Sequence, residues 1–158
     1  MKENWGVGAG WWNQDKRKGY GIGLGKMATV WNGEVAGFRG ALTHAPKDRK
    51  LLILSDSQAA ITAMKQAGRL GKARTSHLRW VVNEIGRRKR ELGEDAVSLG
   101  WVKAHVGIHG NEKADELAKE GAEKTPNKTW ITETGMGQEE EGGEMRERDR
   151  DGKGPQVE

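Results

Sequence analysis

Apolar residues alternate with small and polar ones at a period of two near the start of the chain, at Trp5, Val7, Ala9 and Trp11, and again at Tyr20, Ile22 and Leu24. A polar run, Asn13-Gln14-Asp15-Lys16-Arg17-Lys18-Gly19, separates the two stretches, so the pattern predicts a β-hairpin. By alternation, one of Trp11 and Trp12 belongs to the core and the other to the surface. The period then changes: Val30, Trp31, Val35, Phe38, Leu42 and Ala45 recur at helical spacing until Pro46, with Glu34 at the edge of the stripe near its start. Leu51-Leu52-Ile53-Leu54 is too short for a helix and apolar on both faces, as a central parallel strand is. It runs into Ser55-Asp56-Ser57-Gln58 and a helix carrying Ala60, Ile61 and Met64, which Ser57 is placed to cap. After a connection through Gly68-Arg69-Leu70-Gly71, a further helix is marked by Leu78, Val81, Val82 and Ile85 and ends in Arg87-Arg88-Lys89-Arg90. Ala96 to Val102 reads as a strand and Glu112 to Ala122 as the last helix, so the class is α/β.

Charge divides the chain. Residues 1–122 hold 21 Lys and Arg against 13 Asp and Glu, whereas residues 123–158 hold 6 against 10. A basic body suits a polyanionic partner such as nucleic acid, although basic surface also serves solubility. Beyond Pro126 the composition shifts to Glu, Gly, Arg and Asp, with too few apolar residues to offset ordering entropy, so 123–158 is expected to be an acidic, disordered tail. The absence of cysteine excludes disulfides and thiolate metal sites. No apolar run approaches the ~20 residues of a membrane span, and Met1-Lys2-Glu3-Asn4 leads into no signal-peptide core, so a soluble, intracellular protein is expected, in nucleus or cytoplasm.

The chemistry gathers in two segments. Asp56 stands at the carboxyl end of a strand, where α/β sheets keep their active sites. The stretch from Trp101 to Ala118 repeats the plan: a strand, a loop bearing His105, then Asp115 early in a helix. Each acid also has an ordinary explanation. Asp56 suits a turn or helix cap, Asp115 the first turn of a helix, and Glu34 an exposed helical position. His105 lies on a glycine-flanked loop, where its unperturbed pKa near 6.5 lets it move protons at neutral pH. Asn111 reads equally as a helix cap or as a group that bonds substrate or orients the His105 loop. Arg87 and Arg88 are candidate phosphate contacts, against the plainer reading of a solvated helix end. His44, His77 and His109 read as surface or capping histidines.

Taken together, the hairpin, Trp31-Asn32-Gly33-Glu34, Ser55-Asp56-Ser57-Gln58 and His105-Val106-Gly107-Ile108-His109-Gly110-Asn111-Glu112-Lys113-Ala114-Asp115 resemble type 1 ribonuclease H, in the variant attached to non-LTR retrotransposon reverse transcriptases. The resemblance covers about residues 5–122 and implies a ribonuclease H-like mixed sheet flanked by helices, in a domain spanning 1–122. It implies endonucleolytic hydrolysis of the RNA strand of an RNA–DNA hybrid with two magnesium ions held by carboxylates. Glu34, Asp56 and Asp115 would then be metal ligands and catalytic residues, and His105 the mobile histidine beside them. Acids from separate elements have to converge for this, because magnesium is shared among oxygen ligands. A reverse transcriptase domain encoded upstream is the protein partner this family would bring.

The pattern also breaks. The family's first strand, central in its sheet and ending in an aspartate that serves both metals, has no counterpart here, where Met1-Lys2-Glu3-Asn4 matches the turn that follows it. The strands on either side of the missing one would stand ~9–10 Å apart, two strand spacings. The expectations are therefore poor solubility and little or no nuclease activity, with an inactive nucleic-acid-binding domain or a non-functional retrotransposon remnant as the alternatives.

Overall fold

The computed structural model describes residues 6–70, 76–127 and 130. The turn expected at residues 1–5, the end of the connection at Gly71, and residues 128, 129 and 131–158 of the expected tail lie outside the described residues. Eight elements follow one another: β1 (Val7–Asn13), β2 (Lys18–Gly25), α1 (Val30–His44), β3 (Leu51–Ser55), α2 (Gln58–Leu70), α3 (Ser76–Leu92), β4 (Val97–Trp101) and α4 (His109–Ala122). This is a mixed α/β arrangement of small sheets flanked by helices, in keeping with the ribonuclease H-like class expected from the sequence. No helix among the described residues is long and apolar enough to cross a membrane.

The single mixed sheet of the expectation is, among the described residues, two separate pairs. β1 and β2 form the antiparallel hairpin, with Trp11 opposite Tyr20 and a bulge after Val7. β3 and β4 run parallel, with Leu51 opposite Val97 and Ser55 opposite Trp101. β3 is thus parallel, as its apolar run suggested, but among the described residues it has a paired neighbour on one edge only. One face of β3, with Leu51 and Ile53, packs on the helices. The other does not: Leu52 is 65% and Leu54 51% exposed, high values for a parallel strand.

Local chemistry fixes the helix ends. Thr29 starts α1 with a reciprocal box, its Oγ1 accepting from the Asn32 N–H at 3.1 Å while Asn32 Oδ1 accepts from the Thr29 N–H at 2.8 Å. One core joins α1, α2 and α3 through Phe38, Leu42, Ile61, Met64, Trp80 and Val81. A second lies between α1 and the hairpin, around Trp11, Leu24 and Ala36. Trp11 is the core member of its pair, while Trp12 lies against His109 and Lys113 of α4.

On the opposite face of the hairpin α4 lies almost backbone to backbone. A Cβ on Gly10 would stand 2.5 Å from the Ala114 carbonyl oxygen and from the Ala118 nitrogen, and one on Gly21 would strike the Leu117 carbonyl. No side-chain rotation relieves a collision with backbone. Gly10→Val is therefore expected to lower unfolding free energy by roughly 1–3 kcal/mol, the cost of overpacking, as urea denaturation would report. An unchanged midpoint would mean that α4 does not sit this close.

The chain beyond residue 122 also meets this body. Lys124 Nζ donates to the Gly21 carbonyl at 2.8 Å, and the Asn127 N–H to the Gly23 carbonyl at 3.0 Å. Trp130 is fully buried, stacked on Trp11 with ring centroids 5.8 Å apart. This part of the expected tail is packed, because one indole supplies the apolar surface that its polar neighbours lack.

Candidate active site

Asp56 leaves the carboxyl end of β3, and two elements grip it. The Trp101 indole N–H at the end of β4 donates to the Asp56 carbonyl at 3.2 Å, and Asn111 Nδ2, in the first turn of α4, donates to the Asp56 carboxylate at 3.1 Å. Asn111 therefore neither caps its helix nor stands free. The N-cap of α4 is Ile108, which offers no side-chain bond, and Asn111 orients the aspartate instead.

Ser57 caps α2 as its position suggested, its Oγ accepting from the Ala60 N–H at 3.1 Å. The same hydroxyl donates to Glu34 Oε2 at 2.8 Å, which ties the second turn of α1 to the start of α2. Glu34 and Asp56 are thus brought to one end of the molecule through adjacent residues, Ser57 and Asp56 itself.

Asp115 lies in the second turn of α4 rather than the first, and its carboxylate pairs with Lys119 at 3.0 Å. His105 is exposed on the loop between β4 and α4, with a left-handed backbone (φ 58°) followed by Gly107 (φ 82°). For a residue with a Cβ that conformation is uncommon, and it marks a sharply turned loop.

Glu34, Asp56 and Asp115 have the hard-oxygen chemistry that magnesium takes. Among the described residues, however, no three His, Asp or Glu side chains gather closely enough to hold a metal ion. Each of the three carboxylates instead has a protein donor: Ser57, Asn111 and Lys119 respectively. The residues present do not fit a bound metal pair, and no chemical step through one is drawn from them.

The two arginines expected at phosphates have other work. Arg88 is fully buried, so it has no surface to offer a phosphate. Its Nη1 donates to the Pro46 carbonyl at 2.7 Å, its Nη2 to the Leu42 carbonyl at 3.2 Å, and its Nε to Glu84 at 3.0 Å. Arg87 is bound by Glu84 at 2.6 Å and by Glu91 at 2.8 Å, and these bonds raise its pKa further. Burial alone would raise Glu84, but the hydrogen bond from Arg87 and the charges of Lys47, Arg87 and Arg88 outweigh it and hold the carboxyl below its usual range. Within the basic run at the end of α3, Arg88 braces α3 against the end of α1, while Arg87 pairs within its own helix. His77, read as a surface histidine, is buried against Arg39 and Trp130. Asn111 and Ser57 were both visible in the sequence, but their bonds to Asp56 and Glu34 depend on contacts across 55 and 23 residues that no local pattern encodes.

Comparison with known proteins agrees with the sequence resemblance. A sequence profile described as RNase H matches residues 2–123. Ribonuclease HI of Synechocystis sp. is 28% identical over 116 residues, which cover 65% of this chain and 68% of that protein. The matched span contains both segments that carry Asp56 and Asp115 and most of the folded body, and the chain belongs to the RNase H family.

Proposed function

We propose that this chain is an RNA–DNA hybrid-binding RNase H domain of the non-LTR retrotransposon kind. On this reading Glu34, Asp56 and Asp115 are the family's metal-binding acids and His105 its mobile histidine. Cleavage needs a metal site that the described acids do not assemble by themselves. RNase H proteins generally use divalent metal ions, and the observation that carries the proposal is that no three acidic or histidine side chains among the described residues gather to hold one. Among the described residues β4 pairs one edge of β3, and this supports the reading, since a strand laid along the other edge would find free backbone groups there. The folded domain extends past residue 122 to include Lys124, Asn127 and Trp130, and a reverse transcriptase domain encoded upstream is the natural protein partner.

The test uses a labelled RNA–DNA hybrid and the purified chain with magnesium. The expected result is binding, with cleavage no faster than by Asp56→Asn. A chain extended ahead of Met1 by an apolar strand ending in Asp-Gly-Ser should cleave more than about 100-fold faster, because even lost partners of metal ligands cost 10–100-fold. The same strand ending in Asn-Gly-Ser should not. Robust cleavage by the unextended chain, abolished by Asp56→Asn, would overturn the proposal.

A further inference from the structure

We propose that Trp101 is a positioning residue for bound nucleic acid, the platform on which a nucleobase or ribose of the strand passing Asp56 stacks. The proposal rests on the hybrid-binding reading above. Of the described tryptophans, Trp11, Trp80 and Trp130 are buried, Trp31 packs on the helical core, and Trp12 is engaged by His109 and Lys113. Trp101 differs in being half exposed, at 50%, although its ring is among the largest apolar surfaces the chain owns.

That exposure comes with a fixed orientation. The Trp101 N–H donates to the Asp56 carbonyl at 3.2 Å, so the polar edge of the indole faces the aspartate while half the residue stays open to solvent. Backbone pairing anchors the position further, with Ser55 opposite Trp101 and the Val102 N–H donating to the Ser55 carbonyl at 2.9 Å. Asp56 is therefore bonded by a held aromatic ring at its backbone carbonyl and by Asn111 at its carboxylate. Lys103, two residues on and exposed, and the exposed His105 loop continue the same end of the sheet with groups that suit a phosphate backbone. Proteins that hold a nucleic-acid strand without reading its sequence combine these parts, an aromatic stacking surface beside cations.

Binding of a fluorescent RNA–DNA hybrid in EDTA, where no cleavage intervenes, tests the platform. Trp101→Leu should weaken binding by roughly 5- to 150-fold, the usual worth of one stacked base, with the slope of affinity against salt unchanged, because no charge is lost. Trp101→Phe also lacks the N–H that meets Asp56, yet it keeps a stacking face and should keep most of the affinity. Trp101→Gln, polar enough for a half-exposed position, repeats the loss if the leucine variant fails to fold. Equal losses in the Phe and Leu variants would mean that the bond to Asp56 matters rather than stacking, and unchanged binding in the Leu and Gln variants would remove the platform altogether; either overturns the proposal. Failure of the unaltered chain to bind hybrid would instead sink the hybrid-binding reading, and the platform with it.

Discussion

Arg88→Met is expected to cost about 3–5 kcal/mol of unfolding free energy, the typical penalty for breaking a buried, bonded charge from one side. The fully buried guanidinium answers the carbonyls of Leu42 and Pro46 and the Glu84 carboxylate. Methionine fills much of the volume but donates nothing, so the end of α1 loses two bonds and Glu84 keeps its charge with fewer partners. Lysine is no substitute, since a point charge cannot reproduce a planar fork aimed at three acceptors. Arg87→Gln makes the control. Arg87 is partly exposed, and Glu84 keeps Arg88 and Lys47 when it is lost, so its removal should cost under about 1 kcal/mol. Urea unfolding of the two variants side by side checks the contrast, and equal, small effects would show that Arg88 is not a brace.

Acid should unfold this protein earlier than its carboxylates alone would. Burial is the main cause that lowers the pKa of His77 from 6.5 to about 3, with the Arg39 cation adding to it and a backbone bond to Trp130 opposing. Arg39 Nη1 lies 3.3 Å from His77 Nδ1, and Trp130 stands over the ring at 5.1 Å. In the folded chain the imidazole stays neutral, while in the unfolded chain it takes a proton below about pH 6.5. The stability linked to this group is thus whole above pH 6.5 and declines as pH falls toward 3. The loss is about 2 kcal/mol at pH 5 and roughly 4–5 kcal/mol near pH 3. His77→Gln keeps an acceptor for Arg39 and does not titrate, so it should flatten the slope of stability between pH 6.5 and 5. A slope that persists in this variant would assign the acid sensitivity elsewhere.

Periodicity was enough to place the hairpin, the helix beginning near Val30, the β3 strand and the His105 loop, because each is decided by which positions are apolar. Ser57 as a cap was equally legible, since a capping hydroxyl works within three residues of chain. The glycine face of the hairpin was not, because glycine carries no hydropathy signal that distinguishes a flexible turn from a surface on which a helix lies. Arg88 and His77 read as surface groups because a residue's type reports its usual place, whereas their burial depends on Leu42, Pro46 and Trp130, far away in sequence. Trp130 escaped for the opposite reason, a single apolar residue in a polar stretch. At the site, the residues legible from the resemblance are present, but their hydrogen bonds, and the spacing of the acids, became visible only in three dimensions.

Ser57 places Glu34 under a particular constraint. Its hydroxyl oxygen receives the Ala60 N–H while its single proton goes to Glu34, so one atom serves a helix end and an acidic side chain together. A Glu34 rotamer that turns the carboxylate away leaves that proton without this acceptor, and the change falls on Ser57, the cap of α2 and the residue next to Asp56. The placement of one acid is in this way tied to the chain that carries the next.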